Sequence, residues 1–273
     1  MRMRHRHTGF TLVELVVVIV VLGAISAGTA VYIVRSMEAY SDTVRRDQLT
    51  STARIAVEKM TRELRNALPN SVRIRCTTPS CTSSDTHCIE FFPVQSGSSY
   101  ESVPRTAANV SFAAVDYIAP QTPATAYVAV YPYSTSSLYD KNNPGPLADY
   151  DDSNSDPANG EVYLTSSHRF THDSPHKRFF LTGPPISYCL GTGGDLRRYQ
   201  NYSINSAQPV PPAGSGALLA ENLQLSDGGT AVTPFRYDPG SLQRNGVVTL
   251  DLRVRQDNEW VRLLHEVQIR NVP

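Results

Sequence analysis

Gly9-Phe10-Thr11-Leu12-Val13-Glu14-Leu15 opens an apolar run that continues to Val34. Leu15 to Val34 makes about twenty residues without a charge, the length a helix needs to cross a bilayer core. One carboxylate, Glu14, stands inside the first turns of that run. At bilayer depth such a charge costs on the order of 2.5 kcal/mol or more, so it requires a compensating role. Arg2, Arg4 and Arg6 precede the run with no acidic neighbour, whereas the far flank mixes Arg35, Arg45 and Arg46 with Glu38, Asp42 and Asp47. This asymmetry predicts a cytoplasmic N-terminus with the bulk of the chain facing outward. An ordinary secretory signal would share the basic start and the apolar run, and Ala27-Gly28-Thr29-Ala30 imitates its cleavage site. Two features oppose that alternative: the run goes on through Val31-Tyr32-Ile33-Val34, and Glu14 is unwelcome in the apolar part of a signal.

Beyond the run, Ala53, Val57, Met60, Leu64 and Ala67 recur at helical spacing and form an apolar stripe. Arg54, Glu58, Arg62 and Arg65 fall opposite, with Glu58 and Arg62 at the favourable i,i+4 spacing. Pro69 ends the pattern. One helix from Phe10 to about Leu68 would be roughly 90 Å long at 1.5 Å per residue. Its first half, 10–34, is apolar all round, and its second half, 35–69, is amphipathic. Gly23 and Gly28 each lower helix propensity by about 1 kcal/mol relative to Ala; they mark points of flexibility or close helix approach, or are merely tolerated in a membrane helix.

From residue 70 to 273 the composition turns to Pro, Ser, Thr, Asn, Tyr and Gly, which predicts a β-rich, loop-rich domain. Strands are expected at Val72–Arg75, Cys88–Val94, Val115–Ile118, Ala126–Tyr131, Glu161–Leu164, Arg178–Leu181, Ile186–Leu190 and Arg197–Tyr199. Residues 134–160 read as a long polar insertion and 205–217 as a Pro/Gly/Ser linker. The clearest β signal comes last. Val248, Leu250, Leu252 and Val254 alternate on one face, Asp257-Asn258 turns, and Trp260 to Arg270 returns as the hairpin partner. The fold class is therefore α+β, a long N-terminal helix carrying an antiparallel β-sheet. Cys76, Cys81, Cys88 and Cys189 lie beyond a membrane-targeting segment, which suggests disulfides in an oxidising compartment. Four cysteines allow three pairings, and spacing does not choose among them.

The chain carries 25 basic and 25 acidic residues, and loss of a leader with three arginines would leave 22 basic against 25 acidic. That balance argues against a nucleic-acid partner, which calls for a basic stripe.

The stretch GFTLVELVVVIVVLGAIS, residues 9–26, resembles the signal of type IV prepilins and of the pseudopilins of type II secretion. The resemblance implies a leader over 1–9, cleavage by prepilin peptidase between Gly9 and Phe10, and N-methylation of Phe10. It also implies that Glu14 pairs with the new N-terminal amine of a neighbouring subunit. A pair made inside a greasy helix bundle would offset the buried charge and fix axial register. The implied fold is type IV pilin-like. The implied partners are other pilin subunits, the peptidase and an inner-membrane assembly platform. The implied location is the bacterial inner membrane, single-pass with the globular domain periplasmic, and then the cell surface. Within the family, the blocks Arg62–Arg73, Leu196–Tyr199, Tyr237–Gly240 and Leu263–Val267 resemble minor pilins of mannose-sensitive haemagglutinin pili. J-type pseudopilins share a similar helix end. A membrane-anchored adhesin with a pilin-like signal is a third reading.

Few other residues suggest chemistry. Asp149, Asp151, Asp152, Asn154 and Asp156 form an oxygen-rich cluster that could attract calcium. Asp152, Asn154 and Asp156 follow the start of an EF-hand loop, which then fails at Pro157 and Tyr163, so a solvated acidic loop is the simpler reading. His168, His172 and His176 are four apart, but Asp173 and Pro175 oppose a regular helix that would align them on zinc. Gly191-Thr192-Gly193-Gly194-Asp195 lacks the lysine of a phosphate loop and reads as a turn. His265-Glu266 lacks a second histidine. No catalytic constellation emerges, and the expectation is a non-enzymatic protein without a cofactor.

Overall fold

The computed structural model describes residues 9–122, 125–240, 244–257 and 259–270. The chain divides into two compact units, Met1–Gln48 and Leu49–Pro273. A helix, α1, runs from Leu12 to Arg65 and contributes to both.

In the second unit, the predicted stripe is the buried face of α1: Ala53, Val57, Met60 and Leu64 are all buried, joined by Leu49 and Ala56. The helix stops at Arg65, three residues before the expected end. Asn66 and Ala67 donate their N–H groups to Glu63 and Leu64 in a tighter closing turn, and Leu68 donates to Phe92 O at 2.8 Å. The sheet thus takes the chain over before Pro69 would stop it.

The β-rich unit holds several sheets instead of the single one expected. β1 (Arg73–Cys76), β2 (His87–Phe91), β9 (Ile186–Leu190), β10 (Leu196–Tyr199) and β11 (Ala217–Ala220) form one sheet in the order β1-β2-β9-β10-β11. β14 (Phe235–Asp238), β15 (Gly246–Gln256) and β16 (Glu259–Ile269) form another. Both share one apolar core with residues 49–67. The β15–β16 hairpin matches its sequence pattern, with Val248, Leu250, Leu252 and Val254 all buried. A second core lies among β3 (Val94–Ser99), β5 (Tyr127–Val130), β6 (Leu147–Asp149) and β8 (Arg178–Thr182), ordered β3-β8-β5-β6, and the pair β4 (Asn109–Ala113) and β7 (Glu161–His168). A third, smaller cluster gathers Leu68, Phe92, Leu138 and Tyr139. β12 (Ser226–Asp227) and β13 (Thr230–Ala231) make a short surface ribbon.

Three local expectations need correction. Val115–Ile118 is no strand; the alternation is real, but Val115 and Ile118 are exposed while Tyr117 is anchored by its hydroxyl to Tyr150 and to Glu161 O. The strand lies earlier, at Asn109–Ala113. The polar insertion 134–160 contains a helix, α2 (Thr135–Tyr139), capped by Ser134, and β6. The 205–217 segment before β11 is pinned, not loose: Arg73 donates to Asn205 O and Ser206 O, and Gln208 donates to Cys88 O.

The cysteines pair as Cys76–Cys81 and Cys88–Cys189. The second pair sits at directly facing positions of β2 and β9, buried, and joins residues 101 apart in sequence. Closing so long a loop restricts the unfolded chain most, a stabilisation of about 2–4 kcal/mol. Replacing both residues, Cys88→Ala with Cys189→Ala, should lower the unfolding free energy by about 2–4 kcal/mol, seen as a lower urea midpoint, without changing the β-content seen by circular dichroism. An unchanged midpoint would contradict the assignment.

Candidate processing and assembly segment

In the first unit, Gly9 precedes the helix, and Phe10 is 77% exposed. Thr11 caps the helix start: its Oγ1 accepts the Glu14 N–H at 3.3 Å. Thr11-Leu12-Val13-Glu14 has the spacing of a capping box, of which the Thr11 half is formed; the spacing makes a return bond from the Glu14 carboxylate a candidate local task beside any intermolecular one. The sequence reading missed this, although the Thr-x-x-Glu signal was available. Arg2, Arg4 and Arg6, with most of the leader, lie outside the described residues.

From Phe10 to Val34 the large apolar side chains are exposed on every side of α1. The most apolar 18-residue window of α1 has mean hydropathy 2.5 and no buried residue, so by length and composition this helix can cross a membrane. A surface this apolar is unstable in water and requires lipid or other apolar helices around it. The Thr29 hydroxyl is satisfied from within: its Oγ1 lies 3.0 Å from both Ile25 O and Ser26 O. Such internal bonding is what a hydrocarbon environment demands. A Cβ added at Gly23 or Gly28 would meet nothing within 4 Å, so crowding inside this chain does not explain either glycine. Beyond the apolar half, Arg45 pairs with Asp42 at 3.4 Å.

In the second unit, two ionic clusters fix the C-terminal part of α1 and the strand that follows it. Glu63 Oε2 accepts from Tyr188 OH at 2.6 Å and from Arg198 Nε at 2.9 Å. Arg73 Nε donates to the buried carboxylate of Glu90 at 2.5 Å, and Tyr202 OH donates to its other oxygen at 2.8 Å. Burial pushes the Glu90 carboxyl above its usual range, against the pull of Arg73 and Tyr202. The guanidinium of Arg73 also lies 3.4 Å from the Tyr139 ring centroid. Glu63, Arg73 and Arg198 all fall in the blocks that resemble minor pilins, but spacing alone gave no sign that Glu63 and Arg198 meet. Chain separation of 135 residues hides such a pair from any local reading.

The other candidates are dispersed. Asp151 accepts from Ser153 N and Asn154 N, Asp156 from Ala158 N and Asn159 N, and Asp149 pairs with Lys141 at 2.7 Å. Among the described residues, these carboxylates, with Asp152 and Asn154, do not converge on a common ion position. His168 is buried with Nε2 3.0 Å from Gly145 O, and burial lowers its pKa. His172 packs on Tyr131 and Tyr133, while His176 lines a separate cleft. The three histidines therefore do not meet. Gly191–Asp195 is the turn between β9 and β10, closed by Gly191 N to Asp195 O at 3.0 Å. Cys76, Cys81 and His87 do stand together, with His87 Nδ1 3.2 Å from Cys76 Sγ, but both sulfurs are spent in the disulfide. His87 was not singled out in the sequence.

Residues 4–30 match the family described as the prokaryotic N-terminal methylation motif. No curated protein and no solved structure matches the chain. The exposed apolar helix followed by antiparallel β-sheets is consistent with a pilin-like fold, and the motif supports a type IV prepilin- or pseudopilin-like role. The motif belongs to structural subunits and implies processing by prepilin peptidase and assembly with other pilins.

Proposed function

We propose that the chain is a minor pilin, an O-type subunit that initiates or tips a type IV pilus of the mannose-sensitive haemagglutinin kind. The observation that carries the reading is the methylation motif running into a helix whose most apolar 18-residue window has no buried residue among those described. On this reading residues 1–9 are removed as a leader and Phe10 is N-methylated. Residues 10–34 hold the subunit in the inner membrane and later enter the fibre core; 35–69 carry the β-rich domain, 70–273, on the periplasmic side. Glu14 sets register against a neighbour's amine. The four minor-pilin-like blocks support the finer assignment. They gather near the end of α1: Glu63 meets Arg198, β14 pairs with β15, and β15 with β16.

A J-type pseudopilin is the second reading, favoured by the Arg62–Arg73 block alone. Neighbouring genes separate the two: adhesin pilins and a pilus motor for one, a secretin and secreted hydrolases for the other. A membrane-anchored adhesin is separated by Glu14→Val, which would leave surface binding intact in an adhesin and remove an assembly subunit from filaments.

Mass spectrometry of the protein recovered from native filaments is the direct test. The expected N-terminal peptide begins at methylated Phe10. A terminus still at Met1, or absence of the protein from filaments, would overturn the proposal.

A further inference from the structure

Along the far end of α1 the β15–β16 hairpin leaves an open trough. One reach, about 580 Å³, is bounded by α1 between Arg54 and Arg65, by Asn66 just beyond it, and by Leu263, Leu264 and His265 of β16. An adjoining reach of about 1100 Å³ shares Arg65 and Asn66 and continues past Glu266 and Arg270 to Arg178 and Phe180. β16 and the residue that follows it therefore wall the trough from Leu263 to Arg270, about 23 Å at 3.3 Å per residue.

Three independent features of that wall point to one kind of ligand. First, β16 is an edge strand; among the described residues it pairs only with β15, over eleven residues and without a register shift. Every second residue thus turns its N–H and C=O away from the sheet. Protected edges carry lysine, proline or a bulge, and Glu259–Ile269 has none of these. Second, Arg54, Arg62, Arg65, Arg178 and Arg270 line the trough and have no carboxylate partner among the described residues; the acidic residues lining it are Glu58 and Glu266. Third, Thr61 lines the narrower reach at 8% exposure, and its Oγ1 has no hydrogen-bond partner.

We infer that this trough accepts an extended, carboxylate-bearing segment of a partner polypeptide, which adds as a strand to the free edge of β16. Only an extended backbone offers alternating N–H and C=O groups at the spacing of the edge, and side chains on alternate positions supply the specificity. The arginine excess selects acidic side chains on the guest strand. Apolar side chains of the guest meet Leu264, and a hydroxyl or carboxylate can satisfy Thr61. The inference goes beyond the assembly reading, because it uses neither Glu14 nor the apolar half of α1.

The test places a photo-cross-linking amino acid at Leu264, a residue 58% exposed, in the full chain within the cell that makes it. The adduct is mapped by mass spectrometry, and amide exchange is followed across residues 263–269. The expected adduct lies on an extended acidic segment of another polypeptide, with slowed exchange in β16. Adduct yield should fall about tenfold with Arg62→Gln plus Arg65→Gln. These two side chains make no ion pair within the described residues, so thermal melting should confirm a fold that is unchanged. The inference is overturned by any of four results: no adduct, an adduct on lipid or on this chain's own residues 271–273, an adduct on a helical segment, or a yield indifferent to the two glutamines. Filament recovery is scored in the same cells. A chain missing from filaments but cross-linked through β16 overturns the minor-pilin assignment and leaves the strand-acceptor site standing.

Discussion

Glu14→Gln should yield a protein that is cleaved, inserted and folded, yet depleted from filaments by on the order of a hundredfold, the scale expected when a buried charge loses its partner. The substitution is chosen because Glu14 has two candidate tasks. It occupies the fourth position of Thr11-Leu12-Val13-Glu14, where Thr11 Oγ1 accepts its N–H. Glutamine serves a capping box nearly as well as glutamate, so the helix start survives the change. What glutamine cannot do is neutralise the amine created at Phe10 in an adjacent subunit. If Glu14 acts only as a local cap, Glu14→Gln behaves as wild type, while Glu14→Val frays the helix start at a cost of about 1 kcal/mol. If it sets register, both variants fail together. Quantifying the protein in sheared filaments against the membrane pool measures the difference, and equal partition of wild type and Glu14→Gln would sink the pairing role.

The second large effect is expected in the β-rich domain. Arg73→Ala leaves the Glu90 carboxylate buried with only Tyr202 as a donor, and removes the contacts of Arg73 with Asn205 O, Ser206 O and the Tyr139 ring. Breaking one side of a buried pair costs about 3–5 kcal/mol. The pH dependence carries a signature. Burial already holds the folded-state pKa of Glu90 above its unfolded value. In the window between the two values the native state holds more protons, so this group's contribution to stability falls as pH rises through it. Loss of Arg73 widens that window upward. The deficit of Arg73→Ala against wild type should therefore shrink as the pH is lowered from about 7 towards about 5, within the range a buried carboxyl reaches. Urea unfolding at the two pH values measures it. A deficit that is constant or grows on acidification would show that Arg73 acts through packing alone. The double replacement Arg73→Met with Glu90→Met should recover much of the loss, because it leaves no charge unpaired.

How far the fold could be read from sequence followed from how local each signal was. The apolar run, the stripe from Ala53 to Ala67 and the Val248–Val254 alternation each repeat at the period of one element, and each lies where its period places it. Val115–Ile118 also alternates, but β3 meets it through one backbone bond, Val115 N to Ser99 O, and then through the Ser96 and Ser98 hydroxyls, so no regular ladder forms. The 205–217 segment has a linker's composition, yet Arg73 and Arg75 hold its backbone and its own Gln208 side chain donates to Cys88 O. The methylation motif over residues 4–30, in which Gly9, Phe10 and Glu14 are proposed to act, was legible because it is contiguous in sequence. The trough beside β16 was not, since it exists only where α1, β8 and β16 come together across the chain.

The Cys88–Cys189 bond has a mechanical meaning for a domain carried on a rod. Tension applied through α1 passes its end at Arg65 to Leu68, whose backbone is bonded to Phe92, and enters β2 beside Cys88. There the covalent link passes the load straight to β9, and the residues between the two sulfurs are bypassed. β3 to β8, with the core of Phe112, Val128 and Phe179 among them, thus lie inside a covalently closed loop that a steady pull cannot straighten.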